Sequence, residues 1–123
     1  MTGKRRLTRE EILAKQDLPY EDVWVPEWDT YVRIRGLTGA ERDAFEQSII
    51  ETRGKNTRLN LRNARAKLVA LCAVDEESNR LFTDEDAELL GKKSAVALNR
   101  LFEVAQRLSG LRAEDIEELT GNS

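Results

Sequence analysis

The chain has 123 residues, 35% of them charged, with a net charge of −3, one cysteine (Cys72) and no histidine. That length suits one domain with a real core, while an internal disulfide and the imidazole-dependent Ser-His, Cys-His and zinc chemistries are excluded. The longest apolar run, Leu68 to Val74, has seven residues against the roughly 20 of a membrane span, so no contact with a bilayer is expected.

In chain order, residues 1–7 are expected to be a flexible N-terminus with basic Lys4, Arg5 and Arg6. Thr8 and Glu11 have the spacing of a capping box, with Leu7 and Ile12 as its hydrophobic staple, so a short helix is predicted from about Arg9 to Lys15. Pro19 disfavours helix at Leu18 and ends it. The period then changes: Val23 and Val25 flank Trp24, and Val32 and Ile34 alternate with Tyr31, Arg33 and Arg35. This predicts a β-hairpin over residues 22–35, turning through Pro26 to Asp29, with its valine and isoleucine face lying on helices. A second capping box, Thr38 with Glu41, opens a helix expected to reach about Thr52, with Ala40, Ala44, Phe45 and Ile49 on one face.

Arg53 to Thr57 is expected to be a loop. From Leu59 the spacing of Leu61, Ala64, Leu68, Leu71 and Cys72 predicts another helix, one that would also align Arg58, Arg62 and Arg65 on a face. Asp75 to Arg80 is expected to turn, with Leu81 and Phe82 returning to the core. Thr83 and Asp86 start a further capped helix, anchored by Leu89 and Leu90 and stopped at Gly91. A last helix, from about Ser94 to Leu108, is closed by Ser109 and Gly110. The class is mainly α (α+β), with about five helices and one small N-terminal antiparallel hairpin. Residues 8–111 form one domain, and residues 112–123 form an acidic, partly helical tail.

Chemistry-bearing features are few. No acidic residue lies between Glu51 and Asp75, whereas Arg53, Lys55, Arg58, Arg62, Arg65 and Lys67 do; Asp75 to Glu88 then carries seven acids and one arginine. These stretches read first as solvated faces, then as a protein-partner surface, and last as a nucleic-acid surface, since the overall charge is acidic. Tyr20, Trp24, Trp28 and Tyr31 fall within twelve residues, and aromatics on a hairpin with one open face are contact anchors as well as cover for the helices. Asp75, Glu77, Asn79 and Asp86 partly follow a calcium loop, but arginine stands where glycine is required, so an acidic turn is the better account. Cys72, on an apolar helix face, reads as a core residue. No cofactor or metal site and no enzymatic activity is expected. Partner-binding candidates are Trp24, Trp28 and Tyr31, with Arg53, Lys55, Arg58, Arg62 and Arg65.

The segment VPEW leading to Arg33, Arg35, Leu37 and Thr38, and the run from Ala64 through Cys72, Asp75, Leu81, Phe82, Leu90, Ser94, Leu98, Leu101 and Phe102 to Leu108, resemble the tail assembly chaperones of long-tailed, siphovirus-type bacteriophages and prophages. The resemblance spans about residues 22–111 and rests on fold-holding residues. It implies a non-enzymatic chaperone of the bacterial host cytoplasm, absent from the mature virion. Its implied partners are the tape measure protein and, through a longer frameshifted form, the tail tube protein, with self-association as a further expectation. A small phage or host regulator that lays a basic helix on nucleic acid is the alternative.

Overall fold

A computed structural model describes residues 5–61 and 63–111. The expected tail at 112–123 and the first four residues lie outside that range. The N-terminal capping box is formed: the Glu11 N–H donates to Thr8 Oγ1 at 3.2 Å and the Thr8 N–H donates to Glu11 Oε1 at 3.1 Å. The helix it starts, α1 (Arg9–Leu13), is short, and none of its residues is buried.

The hairpin follows as β1 (Tyr20–Val25), a 3₁₀ turn at Pro26–Trp28, and β2 (Thr30–Arg35). Asp29 takes the left-handed conformation that closes the turn, at φ 52°. The register pairs Val23 with Val32 and Trp24 with Tyr31. Period-2 alternation therefore sends Val23, Val25, Val32 and Ile34 inward, where all are buried.

Thr38 and Glu41 form the second capping box, at 2.9 and 3.1 Å, opening α2 (Gly39–Ile49). Phe45 and Ile49 are buried as expected, but Ala40 and Ala44 face solvent. The chain departs from the sequence expectation at Ile50. Instead of helix, loop and helix it forms a second antiparallel hairpin, β3 (Ile50–Arg53) and β4 (Asn56–Leu59), turning at Gly54 with φ 61°. Glycine adopts that angle without steric cost, so the turn is set by one residue. Arg58 is thus on a strand, and no helix aligns Arg58 with Arg65.

The next helix, α3 (Ala64–Cys72), starts after Asn63, itself left-handed at φ 57°. It is the buried centre of the fold: Ala66, Leu68, Val69, Ala70 and Cys72 are all inaccessible. The apolar run does not stay helical to its end. Ala73 and Val74 form β5, which pairs antiparallel with β2 through Ile34 and Arg33 and makes a three-stranded sheet in the order β1-β2-β5. In the following turn Asp75 Oδ1 accepts the Glu77 and Asn79 N–H groups at 2.8 and 2.9 Å, so its carboxylate serves the loop backbone. Phe82 packs on the core, but Leu81 is 49% exposed.

The Thr83 N–H donates to the Asp86 carboxylate at 2.9 Å, and a 3₁₀ turn (Asp84–Asp86) leads into the single-turn helix α4 (Ala87–Leu90). Leu90 anchors it, while Leu89 is 61% exposed. Ser94 caps α5 (Ala95–Leu108) by accepting the Ala97 N–H at 3.2 Å. At its far end the Leu111 N–H reaches the Gln106 carbonyl and the Gly110 N–H that of Arg107, with Gly110 at φ 69°. That is a Schellman closure, and its following residue, Leu111, is buried.

The inner valines and isoleucine of the sheet join α3 and α5 in one continuous core. Two ion pairs clip the hairpin to α5: Arg107 to Glu21 at 2.8 Å, and Arg100 to Glu27. At the end of β2 the backbones nearly touch. A Cβ on Gly36 would lie 2.6 Å from the Leu108 carbonyl oxygen, so this approach demands glycine.

Candidate functional site on the outer face of the sheet

With Val23, Val25, Val32 and Ile34 turned inward, the same pleat turns Tyr20, Asp22 and Trp24 of β1 and Tyr31, Arg33 and Arg35 of β2 outward. The register places Tyr20 opposite Arg35, Asp22 opposite Arg33, and Trp24 opposite Tyr31. The Trp24 and Tyr31 rings meet edge to face, 5.0 Å between centroids and 62° between planes, an arrangement that adds about 1 kcal/mol to a cross-strand pair. Arg33 lies 4.2 Å over the Tyr20 ring and grips Asp22 with hydrogen bonds of 2.8 and 3.1 Å. The guanidinium of Arg33 lowers the Asp22 carboxyl below its usual range.

Arg35 forks onto Glu41 at 2.7 and 2.8 Å and donates to the Gly36 carbonyl at 2.9 Å. That bidentate contact holds the Glu41 carboxyl down at about 2 and joins β2 to the start of α2. The face is therefore rigid before any partner arrives, which lowers the entropy cost of binding. It continues onto the segment after β5: a depression of about 520 Å³ is lined by Tyr31, Arg33, Val74, Asp75, Glu76 and Leu81.

The sequence-derived candidates separate on this geometry. Trp24 and Tyr31 are 44% and 66% exposed on the face. Trp28 is half-buried against the core and serves packing. Arg53, Lys55 and Arg58 belong to the second hairpin, where Arg58 stands opposite Glu51 and Lys55 is exposed in the turn. Arg65 lies on α3, 5.4 Å over the Phe102 ring. Arg62 lies outside the described residues. These cations do not form one helical stripe, which removes the premise of a basic recognition helix.

Tyr20, part of the aromatic cluster seen in the sequence, completes the face with Arg33 and Leu81, which were not among the candidates. Extending the alternation upstream from Val23 puts Tyr20 on the same face as Trp24. Leu81 carried no local signal, because it is brought there by the antiparallel bridge of Val74 with Arg80.

Among the described residues, no group of three or more histidine, cysteine or acidic side chains is placed to hold a metal ion, and no helix is long and apolar enough to cross a membrane. Burial pushes the Cys72 thiol up to about 12. It is neutral at physiological pH and sits 3.9 Å from Ser109 Oγ.

The family model described as phage tail assembly chaperone matches residues 8–121. Among solved structures, the fold is similar to that of the bacteriophage HK97 tail assembly chaperone, with a TM-score of 0.57 and 18% identity over 80% of this chain and 94% of that one. No curated protein sequence matches. The family model spans nearly the whole chain and the structural likeness bears out the fold: the chain belongs to the phage tail assembly chaperone family.

Proposed function

We propose that this chain holds the tape measure protein during phage tail morphogenesis and helps recruit tail tube subunits to it, the latter through a longer frameshifted form. Family membership makes it a protein of tail assembly with protein partners in that process. The finer reading places its work in the bacterial host cytoplasm and leaves it out of the mature virion.

One observation carries this reading: a rigid sheet face on which Tyr20, Trp24, Tyr31 and Leu81 are exposed together, at 60%, 44%, 66% and 49%. Large apolar side chains clustered on a pre-organised surface are the anchors that bind an amphipathic segment of another protein. Chaperoning a long helical client needs such anchors and no reactive group.

Retention of a phage tape measure protein, measured by co-purification and by titration with its fragments, tests the reading. Trp24→Ala with Tyr31→Ala should weaken retention about tenfold or more, while Arg58→Glu should change it little. Unchanged retention in the aromatic double variant would sink the assignment of this face.

A further inference from the structure

A groove of about 440 Å³ opens where the starts of α3 and α5 meet the end of α4, lined by Leu61, Asn63, Arg65, Gly91, Lys93 and Leu98 among others. It shares no residue with the depression on the sheet face and is independent of the function proposed above. Its floor is small and buried: Ala66 and Leu98 are 1% and 6% exposed. At Gly91 a Cβ would lie 2.6 Å from Asn63 Oδ1, so the turn after α4 is seated directly against the residue that precedes α3. The hollow is thus fixed by the fold. On its wall Leu61 is 56% exposed, and Val96, next to Ala95 in the first turn of α5, is 61% exposed. Single exposed aliphatics are ordinary, but two beside a preformed hollow offer a burial site to an apolar segment.

The charges lining the hollow have one sign. Arg65 and Lys93 line it and no acidic residue does. The contact of Arg65 with the Phe102 ring, at 5.4 Å, orients the guanidinium without neutralising it. Elsewhere the arginines are spent within the molecule, Arg33 on Asp22, Arg35 on Glu41, Arg100 on Glu27 and Arg107 on Glu21. The acid that touches the lining, Glu103, accepts from Asn99 Nδ2 at 3.1 Å. The first turns of α3 and α5 add the positive ends of two helix dipoles. Ser94 caps α5, but the Asn63 side chain makes no capping hydrogen bond to α3.

We propose that this groove docks an acidic amphipathic segment of another protein, with apolar side chains against Leu61, Ala95 and Leu98 and carboxylates on Arg65, Lys93 and the opening turn of α3. Charge complementarity selects the occupant, because a basic segment would be repelled and a neutral one would leave both cations unpaired. The chain's own acids, Glu114, Asp115, Glu117 and Glu118, follow the far end of α5, roughly 20 Å along the helix from the groove. The contact is small and its cations are exposed, so binding is weak and salt-sensitive.

Fluorescence anisotropy with a labelled peptide of about 14 residues, leucine and glutamate placed on opposite faces of a helix, is the direct test. The full chain should bind it at low salt with a Kd of about 10–100 µM. Raising the ionic strength from about 50 to about 300 mM should weaken binding about fivefold or more. The matched peptide with lysine for glutamate should bind about tenfold more weakly or worse. Arg65→Glu with Lys93→Glu should cost a similar factor, as should Ala95→Phe, which fills the hollow and keeps every charge. All three residues are exposed, so unchanged circular dichroism is the control for folding. Trp24→Ala with Tyr31→Ala should leave the affinity unchanged. Wild type that does not bind, a lysine peptide that binds as well, groove variants that bind like wild type, or binding lost in the sheet-face variant would each overturn the proposal. Neutralising the tail with Glu114→Gln, Asp115→Asn, Glu117→Gln and Glu118→Gln should not change the affinity. A gain of about tenfold there would make the chain's own tail the occupant and overturn it too.

Discussion

The chain builds two antiparallel hairpins, and they differ in what stands behind them. β1 and β2 press Val23, Val25, Val32 and Ile34 onto α3 and α5, are extended by β5, and are clipped to α5 by Glu21 and Glu27. β3 and β4 pair Ile50 with Leu59, Glu51 with Arg58, Thr52 with Thr57 and Arg53 with Asn56, and among the described residues their sheet has no third strand. A two-stranded ribbon whose pairs are polar beyond its first is marginal in water, whereas a hairpin with a buried aliphatic face shares the stability of the whole domain. The first hairpin therefore presents its outward side chains from a fixed platform. The second leaves its cations on the less supported ribbon.

The comparison is sharpest at Ile34, which is wholly buried. Ile34→Ala should cost about 2–5 kcal/mol of domain stability, measured by urea unfolding; a cost under about 1 kcal/mol would mean that the first hairpin is no better anchored than the second. A smaller effect is expected at the Arg35–Glu41 contact. The folded-state carboxyl of Glu41 lies below its ordinary value of 4.5, at about 2. Its contribution is therefore complete above about pH 5 and disappears as pH falls toward 2. Allowing for partial solvent screening, Glu41→Gln should cost about 1–2 kcal/mol at pH 7, and the gap from wild type should close at low pH. A gap that widened on acidification would reverse the sign of that linkage.

The smallest global effect belongs to the second hairpin. Gly54 sits at φ 61° with open space around it, so Gly54→Ala meets only the left-handed penalty of about 1–2 kcal/mol. Because that ribbon opens on its own, amide exchange should accelerate in β3 and β4 while the melting temperature hardly moves. A drop in melting temperature matching that of Ile34→Ala would erase the contrast between the hairpins.

The same contrast explains what could be read from sequence. The first hairpin was legible because burial of one face writes itself as alternation at Val23, Val25, Val32 and Ile34. The boxes at Thr8, Thr38 and Thr83 and the cap at Ser94 were legible because capping is local. The second hairpin left no such trace: Glu51 to Thr57 shows no apolar alternation, and Leu59 and Leu61 followed by Ala64 happen to fit a helical spacing. β5 was hidden because two residues of a buried strand cannot be told from the end of a buried helix. Of the candidate site, Trp24 and Tyr31 were visible from composition and alternation. Leu81 was not, since its position depends on a contact across the sheet rather than on its neighbours. Trp28 carried the same compositional signal as Trp24 and faces the other way, because the 3₁₀ turn at Pro26–Trp28 breaks the pleat between them.

The close approach of Gly36 to Leu108 and Pro19 has a consequence for how the protein is joined to others. The N-terminal arm enters the body at Pro19, and whatever follows Leu111 departs from the end of α5, one turn beyond Leu108. Both chain ends thus branch from a single corner, and they are oppositely charged: basic before it, and acidic after it through Glu114, Asp115, Glu117 and Glu118. A fusion at either end, or a longer product continuing past residue 111, is tethered at that shared branch point. Cargo added there is delivered next to the arm.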